Sequence, residues 1–137
     1  MKFYYGASIW GADGDANFNN QVIQYLKQFG DVLSEHLFSN EYKLKEHLSM
    51  TMIHDRDISW IRESDKMIME VSAPSLGVGY EIREGIVRCK PILCLWRKQE
   101  KRLSAMISGS SGLTVREYVD FSDAKVAIDD FLSQPTS

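Results

Sequence analysis

The chain has 137 residues, a length that fits one domain and is short for two. Its 44% hydrophobic and 26% charged residues are ordinary for a globular protein. A formal net charge of −3 argues against nonspecific nucleic-acid binding as the main activity, because no basic stripe is present to neutralise a nucleic-acid backbone.

The sequence gives little support to a metal site or a membrane segment. Its two cysteines and three histidines are scattered and lack the spacing of metal ligands. No run approaches the roughly 18 apolar residues that cross a bilayer, and the first residues lack the apolar region of a signal peptide. We therefore expect a reduced, cytoplasmic protein, with the nucleus as the alternative in a eukaryote, and no membrane or nucleic-acid polymer as partner.

The first third of the chain predicts two strands and one helix. Residues 2–5 predict a strand, and a loop rich in Gly, Asp and Asn runs to residue 17. Apolar residues then recur at helical spacing up to Gly30, a residue typical of a helix end. The predicted buried face of this helix is formed by Phe18, Val22, Leu26 and Phe29. Residues 31–37 predict the second strand, and residues 38–48 are polar and irregular.

A second helix is predicted over residues 49–64, with Ile53, Ile58 and Ile61 on its buried side. The same spacing places the carboxylate of Asp57 at or near that face. Ionised carboxylates rarely stay buried without a partner. Asp57 therefore either bonds to a neighbouring backbone or basic group, or serves as one of the two carboxylates that glycosidic cleavage requires.

Residues 65–97 are the most informative stretch and predict one βαβ unit. The apolar run at residues 67–71 has the length of a strand buried on both faces. A glycine-punctuated turn, residues 72–79, leads into a helix that Lys90-Pro91 closes before the next strand, residues 92–96. The helix is expected to bury Val78, Ile82, Ile86 and Cys89.

Two interpretations of this turn stay open. The free N–H groups and macrodipole of a helix N-terminus favour a bound phosphate near Ser75, Gly77 and Gly79, yet many such turns only connect two elements. The turn is predicted to deliver Glu81 into the first helical turn. There a glutamate either compensates the dipole or serves as a reactive, ionised carboxylate. Glu70, at a strand end, is a third and weaker carboxylate candidate.

The remaining residues complete an alternating pattern. A short helix is predicted at residues 103–107, a Gly/Ser turn at 108–112, a fifth strand at 114–119 and a last helix capped by Ser122. Alternating strands and helices predict a single-domain α/β fold, a doubly wound, flavodoxin-like or Rossmann-like, five-stranded parallel sheet with helices on both faces. Residues 4–8, 35–36 and 70–72 should then line one crevice at the carboxyl ends of the strands.

The sequence closely resembles the 2′-deoxynucleoside 5′-monophosphate N-glycosidases, or N-hydrolases, of the nucleoside 2-deoxyribosyltransferase superfamily. The resemblance is carried by VSAPSLGVGYE at residues 71–81, KPILCL at 90–95 and LSAMI at 103–107. Further matches are YYGASI near the start, VLSEH at 32–36 and IHDRDISW at 53–60. They follow the family order, so we expect residues 1–137 to form one nucleoside 2-deoxyribosyltransferase-like domain.

The resemblance implies a hydrolase that splits 2′-deoxynucleoside 5′-monophosphates into free base and 2-deoxyribose 5-phosphate. Glu81 matches the nucleophile that forms a covalent deoxyribosyl intermediate. Asp57 matches the acid that assists base departure and water activation, and Tyr4 matches a tyrosine that positions the nucleophile and the sugar. No metal or redox cofactor is needed for this chemistry.

The same resemblance implies the binding residues. Ser75 and Gly77 match a loop that holds the 5′-phosphate. Ser104 matches a serine that reaches the phosphate of the neighbouring subunit, so the implied active site is shared across a homodimer. Other expected substrate contacts are Gly79, Ser8, Ile9, Trp10, His36 and Met106. Trp10 stands where the family has a basic residue, and residues 38–50 show no clear match, so base preference stays open.

Three other functions stay open from the sequence. A nucleoside 2-deoxyribosyltransferase would pass the same intermediate to a second base, a binding module would hold a nucleotide without cleaving it, and a third alternative would hydrolyse ribonucleotides. The phosphate-anchoring Ser75 and Ser104 favour a nucleotide hydrolase over a transferase of free nucleosides. In a binding module, Glu81 and Asp57 would have no use.

Overall fold

The computed structural model describes residues 1–8, 15–39 and 47–135. The strands in these residues are β1 (Lys2–Gly6), β2 (Asp31–Val32), β3 (Lys66–Glu70), β4 (Ile92–Arg97) and β5 (Thr114–Tyr118). The helices are α1 (Ala16–Leu26), α2 (Met50–Glu63), α3 (Leu76–Val87), α4 (Ala105–Ser108) and α5 (Phe121–Ser133), with a 3₁₀ helix at Glu35–Phe38. None of the helices described is long and apolar enough to cross a membrane.

The five strands form one parallel sheet in the order β2-β1-β3-β4-β5. The order reverses at β1, because β2 lies on one side of it and β3 on the other. Connections therefore leave the carboxyl ends of β1 and β3 toward opposite faces of the sheet, and a crevice opens between them. This architecture confirms the predicted doubly wound α/β fold.

Helices cover both faces of the sheet, and strand pleating decides which side chains meet which helices. One apolar cluster joins α1 and α5 to the strand residues Phe3, Tyr5 and Ile68. The opposite cluster joins α2 and α3 to Tyr4 and Met69. Because successive strand side chains alternate between faces, Tyr4 lies on the α2–α3 side while its neighbours lie on the other.

The second strand is shorter than predicted. β2 ends at Val32, and residues 35–38 form the 3₁₀ helix instead of extending the strand to residue 37. The cause is Ser34, whose Oγ accepts a hydrogen bond from the Tyr5 N–H at 3.0 Å and donates one to the Tyr5 carbonyl at 2.7 Å. The Ser34 side chain thereby bonds to the N–H and C=O groups of Tyr5 that a longer ladder between β1 and β2 would use.

α1 and α3 each end earlier than predicted, and in each case one residue expected to be buried is exposed. α1 ends at Leu26, so Phe29 lies beyond it and is exposed. α3 ends before Cys89, which is exposed and adopts the left-handed region with φ 57°. The Cys89 N–H donates to the Ile86 carbonyl at 3.0 Å and the Lys90 N–H to the Gly85 carbonyl at 2.9 Å. These two bonds form a Schellman motif, which ends the helix at Val87 and leaves Cys89 beyond it.

Two smaller predictions, one for α5 and one for α2, were also wrong. The cap of α5 is Asp120, not Ser122, because the Asp120 carboxylate accepts from the Asp123 N–H at 3.3 Å while Ser122 donates to the same oxygen at 2.6 Å. In α2, Ile58 and Ile61 are buried as predicted, whereas Ile53 is only partly buried. The helix itself begins after Ser49, whose Oγ accepts from the Met52 N–H at 3.2 Å.

Candidate active site

A cleft of about 250 Å³ opens at the crevice between β1 and β3, and Glu81 of α3 lies in it. Tyr4 of β1, only 1% exposed, donates a hydrogen bond from its phenol to Oε2 of Glu81. Asp57 of α2 lines the same cleft. The residues expected to carry the chemistry are therefore brought together by one strand and two helices on the same face of the sheet. The other lining residues described are Tyr5, Gly6, Ala7, Leu37, Phe38, His54, Ile58, Ser75, Gly77, Val78 and Tyr80.

Glu81 lies in the second turn of α3, not in the first turn as predicted. The helix begins at Leu76, because Ser75 caps it by accepting a hydrogen bond from the Val78 N–H at 3.2 Å. Dipole compensation fades beyond the first turn of a helix. The position of Glu81 therefore does not support the interpretation that it only balances the helix dipole.

Burial works against the ionised state expected for Glu81. The pKa of Glu81 is raised to about 7. Burial in the cleft is the largest cause, the hydrogen bond from Tyr4 acts in the opposite direction, and the charge of Asp57 adds to the rise. The pKa of Tyr4 is raised well above its ordinary value by burial and by the charges of Glu81 and Asp57, so its phenol stays a donor.

Asp57 has the basic neighbour that one interpretation predicts, and its place in the cleft leaves the catalytic interpretation open. Its Oδ1 lies 3.0 Å from Nε of Arg56, and the two side chains are only 20% and 19% exposed. The Arg56 guanidinium in turn lies over the ring of Trp60, 4.8 Å from the centroid. The carboxylate thus has the basic neighbour that burial demands, and it still faces the cleft.

Glu70 is held by its own neighbours at the end of β3. Its carboxylate accepts from the Ser72 N–H at 2.5 Å and the Ser72 hydroxyl at 3.0 Å, and Tyr118 donates a third hydrogen bond. Pleating turns Glu70 to the α1–α5 face, where it lines a separate cavity of about 30 Å³ together with Ser8 and Arg97. The predicted single crevice is therefore divided into two.

The residues expected to bind phosphate lie at the start of α3. Gly77 lines the cleft, Gly79 lines an adjoining groove, and Ser75 lines both. Neither glycine has a positive φ, so backbone conformation does not require them. A Cβ built on Gly77 would meet only the Ser75 Oγ, at 3.9 Å, and one on Gly79 would meet nothing within 4 Å. The missing side chains leave the helix N-terminus open.

The adjoining groove has a volume of about 860 Å³ and runs between α3 and residues 96–110. Ser104 lines it as the cap of α4, its Oγ accepting from the Met106 N–H at 3.3 Å. Met106 is 82% exposed and Leu76 is 97% exposed. The groove therefore combines four expected binding residues, Ser75, Gly79, Ser104 and Met106, with exposed apolar side chains.

The structure places the other expected contacts as follows. His36 packs edge-on against Trp60 with 5.0 Å between ring centroids, and its neighbours Leu37 and Phe38 line the cleft. Ser8 lines the smaller cavity beside Glu70. Ile9 and Trp10 lie outside the described residues.

Gly6, within the predicted lining of residues 4–8, lies so close to Glu81 that a Cβ there would be 3.4 Å from Oε1. Sequence reasoning assigned no role to two other lining residues, His54 and Tyr80. His54 and Tyr80 line the cleft and join α2 to α3 through a 2.8 Å contact between Nε2 and the phenol oxygen. Their positions in the sequence were a signal that could have indicated them, because His54 lies about one helical turn before Asp57 and Tyr80 lies directly before Glu81.

A site for a metal ion needs several side chains that bind the ion together. Within the ranges described, no group of three or more His, Cys, Asp or Glu side chains is arranged to hold one.

Curated proteins resemble this chain along most of its length, although no family model matches it. It is 39% identical over 140 residues to the 5-hydroxymethyl-dUMP N-hydrolase of Tetraodon nigroviridis, covering 97% of this chain and 98% of the relative. It is 45% identical over 110 residues to a Trichoplax adhaerens protein whose name places it among the 2′-deoxynucleoside 5′-phosphate N-hydrolases, covering 80% of this chain and 76% of the relative.

Solved structures share the fold at lower identity. The Clostridium botulinum CMP N-glycosidase BcmB aligns with a TM-score of 0.67 and 16% identity, covering 94% of this chain and 99% of its own. A 2-deoxyribosyltransferase of Bacillus psychrosaccharolyticus aligns with a TM-score of 0.66 and 16% identity, covering 91% and 90%. These likenesses confirm the expected architecture, and the sequence identities above go further: this chain belongs to the 2′-deoxynucleoside 5′-phosphate N-hydrolase family.

Proposed function

We propose that this protein hydrolyses the N-glycosidic bond of 2′-deoxynucleoside 5′-monophosphates, releasing the free base and 2-deoxyribose 5-phosphate. The observation that carries the proposal is the Glu81 carboxyl group, desolvated in the cleft, held by the Tyr4 phenol and sharing the cleft with a second carboxylate, Asp57. Two carboxyl groups of this kind are what glycosidic cleavage requires. Membership of the N-hydrolase family supports the same reaction.

In the first step, Glu81 attacks the anomeric carbon of the sugar as a carboxylate. Tyr4 occupies Oε2, which leaves Oε1, on the Gly6 side, to form the new bond. The bond between C1′ and the base nitrogen breaks, and its electron pair leaves with the base. Asp57, which is protonated in the reactive state while Glu81 is ionised, gives its proton to the base. The product is a deoxyribosyl ester of Glu81.

In the second step, water attacks the same carbon. Asp57, now unprotonated, takes a proton from that water, and the ester bond breaks with its electron pair returning to Glu81. Tyr4 again donates to the carboxylate that is released. Each group ends the cycle in its starting state, with no oxidant or reductant consumed.

The open start of α3 supports a phosphate as the anchor of the substrate. Backbone N–H groups at Leu76 and Gly77 precede the first internal hydrogen bonds of the helix, and the helix dipole favours an anion there. The Ser75 hydroxyl lies at the same place, lining the cleft and the groove. Binding energy from this remote group can orient C1′ against Glu81.

The proposed enzyme works as a homodimer in which Ser104 of one subunit completes the phosphate site of the other. Support comes from the groove beside α3, which exposes large apolar side chains such as Leu76 and Met106. Apolar surface gathered in one groove is typical of a protein interface. Ser104 lines that groove, where a partner subunit would meet it.

The test is incubation with a panel of deoxynucleotides, including 5-hydroxymethyl-dUMP, together with ribonucleotides and free nucleosides, with and without an acceptor base. The expected result is free base and 2-deoxyribose 5-phosphate from deoxynucleotides, unchanged by the acceptor. Transfer of the sugar to the acceptor base would instead identify a 2-deoxyribosyltransferase. Binding without any cleavage would identify a nucleotide-binding module.

A further inference from the structure

The two helices that carry the carboxyl groups of the site are joined across the mouth of the cleft. Nε2 of His54 on α2 lies 2.8 Å from the phenol oxygen of Tyr80 on α3. Their rings also meet, with 5.5 Å between centroids and 67° between planes. Both side chains line the cleft. Their hydrogen bonds do not involve Glu81 or Tyr4.

A third residue fixes the direction of this hydrogen bond. Nδ1 of His54 lies 2.9 Å from Oδ1 of Asp55. A carboxylate oxygen only accepts, so in the neutral imidazole the proton sits on Nδ1 and Nε2 is left as an acceptor. The Tyr80 hydroxyl therefore donates to His54. Asp55 orients the histidine, and the histidine in turn engages the tyrosine on the facing helix.

The placement of this link along both helices is informative. His54 precedes Asp57 by three residues, nearly one helical turn, and Tyr80 directly precedes Glu81. A second link, Arg62 Nε to Glu84 Oε1 at 3.6 Å, joins the same helices beyond the two carboxylates. The catalytic pair thus lies between two polar links, of which only the His54–Tyr80 link is at the cleft.

We propose that His54 and Tyr80 are positioning residues, whose hydrogen bond holds the cleft ends of α2 and α3 at the separation that sets Asp57 against Glu81. This inference rests on the proposed function. Proton delivery to the base and attack on C1′ must occur on opposite sides of one bond, so small changes in the spacing of the two carboxylates change the rate of chemistry. Phosphate binding at the start of α3 does not depend on that spacing.

The expected signature is a loss in kcat with little change in KM. Tyr80→Phe keeps the ring contact and removes only the hydroxyl, and His54→Leu removes both ring nitrogens. Each should lower kcat about three- to tenfold, the range expected for one net hydrogen bond. The double variant should be no slower than the slower single variant, because both substitutions break the same link.

A conservative variant and a remote one serve as controls. In His54→Gln the amide oxygen can accept from Tyr80 in place of Nε2, so kcat should stay within about twofold of wild type. Tyr25→Phe removes another tyrosine hydroxyl that links two helices, α1 and α5, through Asp129 far from the cleft, and it should leave kcat unchanged. Thermal unfolding of every variant checks that the fold is retained.

The experiment measures kcat and KM for one deoxynucleoside 5′-monophosphate in wild type and these variants. Losses that multiply in the double variant would overturn the proposal, because they would mean that the two residues act separately. A raised KM with unchanged kcat would overturn it too, since both would then be substrate contacts. If the wild type turned over the nucleotide and Tyr80→Phe matched it, this inference alone would fail. A wild type inactive on every nucleotide would instead remove the proposed function.

Discussion

The phenol of Tyr4 donates a hydrogen bond to Oε2 of Glu81, so a buried strand residue fixes the orientation of a carboxyl group on a helix. The strand is β1, at the point where the order of the sheet reverses, and the helix is α3, which begins at the proposed phosphate site. One contact thereby connects the buried sheet to the centre of the proposed chemistry.

Tyr4→Phe should keep the fold and slow the reaction. The substitution removes the hydrogen bond that orients Glu81, and we expect kcat to fall about 10- to 100-fold. The same hydrogen bond lowers the pKa of Glu81, so its loss should move the acidic limb of the kcat/KM profile to higher pH. A pH–rate profile of the variant measures both effects. An unmoved limb would mean that the phenol does not act on Glu81.

The activity of the wild-type enzyme should rise with pH. Because burial raises the pKa of Glu81 to about 7, kcat/KM should increase through that pH as the nucleophilic carboxylate forms. A profile measured from pH 5 to 9 checks this. Constant activity down to pH 5 would show that Glu81 ionises near its ordinary value or is not the nucleophile.

The same raised pKa predicts how stability depends on pH. The folded protein holds the Glu81 proton more tightly than the unfolded chain, so stability falls as pH rises from about 4.5 to about 7. Glu81→Gln removes this effect and should stabilise the fold above pH 7, by on the order of 1 to 3 kcal/mol, but not at pH 4. Urea unfolding at pH 4 and pH 8 measures the difference.

A matched control for that measurement is Glu84→Gln. The hydrogen bond from Arg88 lowers the pKa of Glu84, which is the opposite direction. This group therefore favours the fold at neutral pH and loses that contribution as pH falls. If Glu81→Gln were no more stable than wild type at pH 8, burial of Glu81 would not disfavour its charged form.

Two glycines of the cleft region should respond in opposite ways to alanine. At Gly6 the new Cβ would lie 2.3 Å from Cε of Met69 and 3.4 Å from Oε1 of Glu81, so we expect a loss of about 1–3 kcal/mol in stability and a lower kcat. At Gly79, inside α3, the Cβ meets nothing within 4 Å, so alanine should stabilise the helix by roughly 0.5–1 kcal/mol. Chemical unfolding compares the pair directly. Equal effects would mean that Met69 moves aside freely.

The shared site can be tested by mixing two impaired enzymes. Glu81→Ala should lose the chemistry, and Ser104→Ala should mainly raise KM. After dissociation and reassociation, about half of the dimers should be mixed, each with one intact site, so activity should approach roughly a quarter of wild type. If subunit exchange were verified and activity did not rise, Ser104 would serve its own chain.

The fold was predictable because its signals are local. The apolar run of β3 and the helical spacing of Val78 and Ile82 specify a buried strand followed by a packed helix, and the structure confirms both. The errors came from single side chains acting across the chain. Ser34 ends β2 by bonding to the backbone of Tyr5, 29 residues earlier, and no local sequence pattern predicts that contact.

The site was predictable in its membership but not in its electrostatics. The resemblance indicated Glu81, Asp57 and Tyr4, and the structure brings all three to one cleft, while their chemical roles stay predictions. The raised pKa of Glu81 depends on burial and on Asp57, both products of the tertiary fold. The His54–Tyr80 link joins residues 26 positions apart and was missed for the same reason.

The central claim is that Glu81 attacks the sugar directly, and the kcat of Glu81→Gln tests it most directly. The amide keeps the shape of the side chain and cannot form the ester, so turnover of a deoxynucleoside 5′-monophosphate should be abolished while nucleotide binding, followed by titration, is largely kept. A Glu81→Gln enzyme that retained more than a few per cent of the wild-type kcat would contradict the account.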